Sequence, residues 1–272
     1  MTPQVWEMRR VLVTVRTYPT PAERGVEVSC TAGVTSDGSW IRLFPVPARS
    51  LDPDKHFSKY QWIDVSVKKA SDPRPESYNV DLDSIKTVGR PIPTTNNWAL
   101  RRPHVMPLVK HCMCCLKRER EDSGSPTLGL FRPRKILQLV IERDRSDWTE
   151  KELAKLRQST FLASAPAKEL ERIPFKFSYR YECDHDDCPG HKMMCSDWEL
   201  GEAYRKWRSK YGDEWQGKLR QRWESEVISP KDTHFYVGTV HGHPREWIIV
   251  GLWSPRATKS GQRAPLQQTL SI

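Results

Sequence analysis

The chain reads as an α+β protein with a β-rich N-terminal half folded as a partial barrel. A zinc-knuckle-like loop, two helices and a closing β-hairpin follow. Three observations predict this. The first ninety residues break into short alternating segments rich in β-branched side chains and bounded by turn signals. Cysteine and histidine crowd between Cys183 and Cys195. Two later stretches repeat apolar and aromatic residues at helical spacing.

The elements follow in order. RRVLVTVRTY (9–18) and GVEVSCTAGVT (25–35) are strand-like. The turn signal SDG (36–38) leads into SWIRLFPVP (39–47), where Trp40, Arg42 and Phe44 alternate with Ile41 and Leu43. QWIDVSVKKA (61–70) alternates again, DPRPES (72–77) breaks the chain with two prolines, and SYNVDLDSIKTV resumes the strand pattern. Residues 91–126 are partly helical, interrupted by Pro103 and Pro107, and EDSGSPT (121–127) reads as a polar, flexible loop. LFRPRKILQLVIER (130–143) contains a strand. SDWTEKELAKLRQ opens with Asp147 and Glu150 at capping-box spacing and predicts a helix.

PFKFSYRYEC (174–183) alternates Phe175, Phe177, Tyr179 and Tyr181 on one face and delivers the chain into the cysteine-rich loop. Leu200, Tyr204, Trp207 and Tyr211 define one helix, and Trp215, Leu219, Trp223 and Val227 a second. HFYVGTV (234–240) and EWIIVGLW (246–253), joined by HGHPR, form the final hairpin. The expected units are residues 1–126, residues 127–254 and a loose tail, 255–272. The last strands are too few to stand alone, so the halves are expected to share a sheet and form one domain.

Composition bounds the function. At 272 residues the chain can bury a sizeable core. Aromatic residues make up 10%, with eleven Trp, which argues against disorder. No run approaches the roughly 20 apolar residues of a membrane span, and MTPQVWEMRR lacks a secretory pattern, so a cytoplasmic protein without membrane contact is expected. Lys and Arg number 44 against 34 Asp and Glu, a net charge of +10. That excess makes DNA, RNA or another polyanion a natural partner. No P-loop, Gly-rich dinucleotide fingerprint, HExxH or GxSxG is present, which argues against a nucleotide-cofactor enzyme.

The segment YECDHDDCPGHKMMCSDWE (181–199) carries the sharpest chemistry. Cys183, Cys188, His191 and Cys195 are the expected metal ligands, because structural zinc takes four thiolates or imidazoles in a tetrahedron. Pro189 and Gly190 tighten the loop, with Gly190 free to take positive φ. His185 is a competing ligand. An iron–sulfur cluster is the alternative cofactor, its fourth thiolate coming from Cys112, Cys114 or Cys115. The seven cysteines are odd in number and lack a secretion signal, which disfavours disulfides. Cations around Cys112, Cys114 and Cys115 would lower their thiol pKa values, or the segment is simply a basic helix with incidental cysteines. Asp197 and Glu199 are the candidate catalytic carboxylates for a metal-activated water. In the competing reading Ser196 and Glu199 form a capping box and Asp197 complements the helix dipole.

The expected nucleic-acid contacts are Arg205, Lys206, Arg208, Lys210, Lys218, Arg220 and Arg222 on the two helices, with Trp40 and Arg42 on the N-terminal sheet. HFYVGTVHGHPREWIIVGLW resembles the closing hairpin of PUA/ASCH/EVE-type β-barrels, which implies reading of RNA or a modified base. With WIRLFPVP, KYQWIDV and the C-x4-C-x-G-H stretch, the chain also resembles a bacterial family of uncertain function, of the kind carried on mobile-element or defence-linked loci. The leading expectation is a zinc-containing nucleic-acid-binding protein reading a modified base or structured RNA. The alternatives are a metal-dependent nuclease using His191 and nearby carboxylates, and a protein-interaction adaptor.

Overall fold

A computed structural model describes residues 5–21, 27–160, 170–228 and 231–257. The expected tail lies outside the described residues from 258 onward. The N-terminal half holds β1 (Glu7–Arg16), β2 (Thr20–Pro21), β3 (Glu27–Thr35), β4 (Trp40–Val46), β5 (Trp62–Lys69), β6 (Ser77–Val80) and β7 (Lys86–Val88). Strand β1 pairs antiparallel with β3, β3 with β4, and β4 runs parallel to β6. The ring returns through β5, which pairs with both β6 and β1. Five strands therefore close completely, where the alternation predicted only a partial barrel. A ring this small is filled by its own side chains. Val11, Val13, Ile41, Leu43, Ile63, Val65 and Val67 are each 1% exposed or less and form its centre. Gly33 lets β1 and β3 approach closely, since a Cβ there would sit 2.3 Å from the Leu12 carbonyl oxygen.

A distorted turn, α1 (Thr95–Trp98), and α2 (Arg102–Val105) lead out of the barrel. Then come β8 (Val109–Lys110), α3 (Met113–Ser123), β9 (Leu128–Phe131), β10 (Lys135–Arg143) and α4 (Glu150–Thr160). The capping box of α4 is formed by Thr149 and Glu152, not by Asp147 and Glu150. The Glu152 N–H donates to Thr149 Oγ1, and the Thr149 N–H donates to Glu152 Oε2. Helix α3 ends on Gly124 at φ +76°, so much of the stretch read as a polar loop is helical.

Strands β11 (Phe175–Glu182) and β12 (His191–Met194) precede α5 (Trp198–Tyr211) and α6 (Trp215–Arg220). A single π-type segment continues into α7 (Glu226–Ile228), followed by β13 (His234–Val240) and β14 (His243–Trp253). Strands β10, β11 and β12 form one antiparallel sheet, and β14, β13, β9 and β8 another. Phe177, Tyr179 and Tyr181 are buried as the alternation predicts, packed against Leu200, Tyr204, Trp215 and Leu219 from the helical stripes.

Among the described residues the barrel shares no strand with the C-terminal sheets, although β8, which precedes residue 126, pairs with β9. The halves share an apolar layer in which Val15, Ala32 and Tyr60 of the N-terminal half meet Leu128, Tyr236, Val250 and Trp253. A short strand pair cannot bury both faces alone, so the hairpin β13–β14 is covered by barrel residues instead. Strand β8 and helix α3, which precede the expected boundary at 126, pack with the C-terminal elements: β8 pairs with β9, and Cys112, Met113 and Leu116 join the C-terminal core.

Candidate metal centre

Cys183 directly follows β11 and Cys188 comes one turn later. Gly190 at φ +78° then reverses the chain so that β12 begins at His191. Tyr181 pairs with His191 across the sheet, and their rings stack at 5.0 Å. A positive φ is where glycine is favoured over any residue with a Cβ, which is why the knuckle closes at this position. The cluster is completed from a distant segment. Helix α3 begins at Cys112, whose sulfur accepts from the Cys115 N–H, and its first turn aims Cys114 at the knuckle.

Four ligand atoms converge. The Cys183 sulfur lies 3.2 Å from that of Cys188 and 3.3 Å from that of Cys114. His191 Nε2 lies 3.4 Å from the Cys114 sulfur and 3.5 Å from the Cys183 sulfur. All four atoms fall within 4.8 Å of one another. Ligand–metal bonds of about 2.3 Å for sulfur and about 2.0 Å for nitrogen imply tetrahedral edges of roughly 3.5–3.8 Å, so the group fits one ion with small adjustments. Cys183 is fully buried and the other three are half-buried. Such a Cys3His group can hold a metal ion.

Electrostatics support the same chemistry. Burial lowers the His191 pKa, with Lys117 adding to the effect, so the ring is neutral and its nitrogen lone pair available. Burial pushes the Cys114 thiol up to about 12, and the neighbouring Cys183 sulfur contributes further. This is opposite to the lowering expected from surrounding cations, because close sulfurs disfavour a second thiolate. A bound cation relieves that repulsion, so binding would release protons.

The structure corrects several sequence expectations. Cys195 is not in the group. It sits one strand length beyond His191, 5% exposed, its N–H bonded to the Phe177 carbonyl at 2.7 Å. Burial raises its pKa. Cys114 occupies the fourth position instead. The odd-cysteine argument against disulfides also fails locally, because Cys112 and Cys115 are bonded to each other. His185 faces Arg118 at 3.4 Å and stays outside the group.

Asp197 and Glu199 are not brought to His191. Asp197 is the fully buried N-cap of α5, a role the Ser196–Glu199 capping-box reading gave to Ser196. Its carboxylate accepts from the Glu199 N–H at 2.7 Å and the Leu252 N–H at 3.2 Å. Both carboxylates stand 3.4 Å from the Lys59 ammonium, an ion cluster at the barrel junction that pattern reading could not foresee.

Most expected nucleic-acid contacts have partners within the protein, and the pairs of Arg208 and Arg222 lie at the exposed surface. Arg42 is 2% exposed. Its guanidinium donates to Ser77 Oγ at 3.1 Å and to the Thr127 carbonyl at 3.0 Å, joining the barrel to β9. Trp40 packs edge-on against Tyr236. Arg205 pairs with Glu171 and Glu202, Arg208 with Glu171, Arg220 with Glu224, and Arg222 with Glu226. Lys210 and Lys218 lie over the Tyr211 ring at 5.2 and 5.4 Å, and Lys206 is exposed. No helix among the described residues is long and apolar enough to cross a membrane.

Residues 109–270 match the family profile described as Domain of unknown function (DUF8757), and residues 7–107 match Domain of unknown function (DUF8758). The two matches meet where the barrel gives way to β8. Comparison with curated proteins finds no match.

Proposed function

The chain belongs to the DUF8757 family, and from that premise and its Cys3His group we propose that it is a zinc-containing nucleic-acid-binding protein. The observation that carries the metal half of the reading is the convergence of Cys114, Cys183, Cys188 and His191 from two separate segments. Three thiolates and one neutral imidazole are the donor set of structural zinc, and all four tetrahedral positions are filled by protein. Sulfurs 3.2–3.3 Å apart leave room for one ion rather than a multi-iron cluster. Such a centre is a staple: when bound, zinc supplies cross-linking between α3 and the β11–β12 knuckle, while the residues orient one another.

The nucleic-acid half rests on the +10 charge. Recognition of a modified base or structured RNA is the finer form of the same reading, supported by the closed barrel and the closing hairpin. Within this reading the protein acts in the cytoplasm. The nuclease alternative is disfavoured because Asp197 and Glu199 pair with Lys59 rather than joining His191.

Elemental analysis of the purified protein tests the first half, and one zinc per chain is expected. Fluorescence anisotropy with labelled single- and double-stranded DNA and RNA tests the second. Binding that weakens as salt rises is expected, and absence of binding even at low salt overturns it.

A further inference from the structure

The outward face of the β10–β11–β12 sheet adjoins the knuckle. On β11 it carries Lys176, Arg180 and Glu182, with Ser178 buried between them, because Phe175, Phe177, Tyr179 and Tyr181 pack toward the core. In register, Arg180 stands directly between Gln138 of β10 and Lys192 of β12. Like charges directly opposite on a sheet are destabilising, so stability alone disfavours this pair. The Arg180 guanidinium makes no hydrogen bond or ion pair among the described residues. Lys192 reaches Glu142 at 2.7 Å, but both side chains are about half exposed, at 41% and 48%, and such a pair exchanges readily.

These two cations border a concavity of about 410 Å³ between the sheet and the knuckle, walled by Leu137, Glu182, Pro189 and Gly190. Its size lies in the range of roughly 300–1,000 Å³ typical of small-ligand sites. Leu137 sits at the β10 bulge and is 42% exposed, and Met194 on the same face is 40% exposed. Glu182 is held by Arg134 at 3.0 Å, which offsets its charge. The knuckle carboxylates Asp184, Asp186 and Asp187 do not line the concavity. Cys188 and His191 of the metal group form its floor, so the metal staple fixes the wall that the ligand meets.

We propose that this concavity is the single-stranded nucleic-acid site, with Arg180 and Lys192 each holding one of two successive backbone phosphates and Leu137 and Pro189 offering an apolar surface to an unpaired base. The proposal rests on the nucleic-acid reading above and moves its interface from the α5–α6 helices to the sheet. Charge complementarity selects a polyanion, and the apolar wall beside the cations selects a strand whose bases are free of a duplex.

The test is anisotropy of the full chain with fluorescein-labelled uridine and thymidine homopolymers, alone and as duplexes with the complementary adenosine strands, across a salt series. Three proteins are compared: wild type, R180A/K192A, and K206A/K210A/K218A on the helices. All five substituted side chains are exposed, and circular dichroism with zinc content verifies that folding is retained. Two single-strand phosphate contacts contribute about 1.4 to the slope of log affinity against log salt. The sheet variant is therefore expected to show a slope shallower by about 1.4 and an affinity about 25-fold lower at 0.1 M salt. The helix variant is expected to stay near wild type. A loss confined to the helix variant overturns the sheet site while leaving nucleic-acid binding intact. Equal or tighter binding of a duplex overturns the single-strand assignment. Absence of binding by wild type removes both the site and the reading it rests on.

Discussion

The sulfurs of Cys114 and Cys183, 69 residues apart in sequence, lie 3.3 Å from each other. This one contact ties helix α3 to the knuckle and identifies the fourth member of the metal group. Substitution separates it from the sequence-based choice. C114A and C183A are expected to lose stoichiometric metal, while C195A retains it, as measured by elemental analysis after dialysis. Metal retained by C114A but lost by C195A contradicts the geometry.

Removing the ion is expected to loosen the segments that it joins. Chelation at neutral pH should lower the midpoint of thermal unfolding by about 10 °C, corresponding to roughly 3–5 kcal/mol for a chain of this size. Hydrogen exchange should locate the gain in mobility at α3, β11 and β12, with the barrel strands β1 and β5 unchanged. Uniform destabilisation of barrel and knuckle alike would argue against a local staple.

Arg42 is a structural bridge between the halves. R42A removes three hydrogen bonds, to Ser77 and twice to Thr127, and leaves their partners buried. A loss of about 3 kcal/mol in urea denaturation is expected. R42K should recover little, because an ammonium cannot reproduce the two-pronged approach of the guanidinium to Thr127. A neutral effect of R42A would show that the junction is held by the apolar layer alone.

Asp197 and Glu199 flank the same ammonium but differ in burial, so their substitutions should diverge. D197A removes the α5 cap and leaves the buried Leu252 N–H without its acceptor, at a cost of about 3 kcal/mol. E199A alters a side chain that is 56% exposed and should stay within about 0.5 kcal/mol. Thermal unfolding distinguishes them, and an equal effect of the two would refute the capping role.

Acid should weaken the link between β10 and the segment before β11. The Arg172 guanidinium donates to Asp144 at 2.6 Å and holds its pKa at about 2, below the ordinary carboxylate range. The folded pKa is depressed, so this stabilisation is present above about pH 4 and is lost as pH falls toward 2. With a solvent-screened pair the contribution is about 1 kcal/mol. R172A should flatten that part of the stability–pH curve, and an unchanged curve would dismiss the pair.

What the sequence determined by itself was everything set by short-range spacing. The two-residue alternation of Phe175, Phe177, Tyr179 and Tyr181 specified a strand and its buried face, because successive side chains on a strand alternate. The stripes from Leu200 to Val227 specified the helices, and HFYVGTV coincides with β13. Cys183, Cys188 and His191 were legible because a tight turn can gather ligands only a few residues apart. Tertiary structure alone decided the rest. From His191 to Cys195 the chain runs extended, and a rise of about 3.3 Å per residue carries that sulfur roughly 13 Å along the strand, out of reach of an ion at His191. Cys114 took its place because the first turn of α3 lies against the knuckle, a contact between distant segments that no spacing encodes. The same long-range packing turned Arg42 inward and closed the barrel by the parallel pairing of β4 with β6. Local periodicity says which face of an element seeks burial, and only the assembled chain says what covers it.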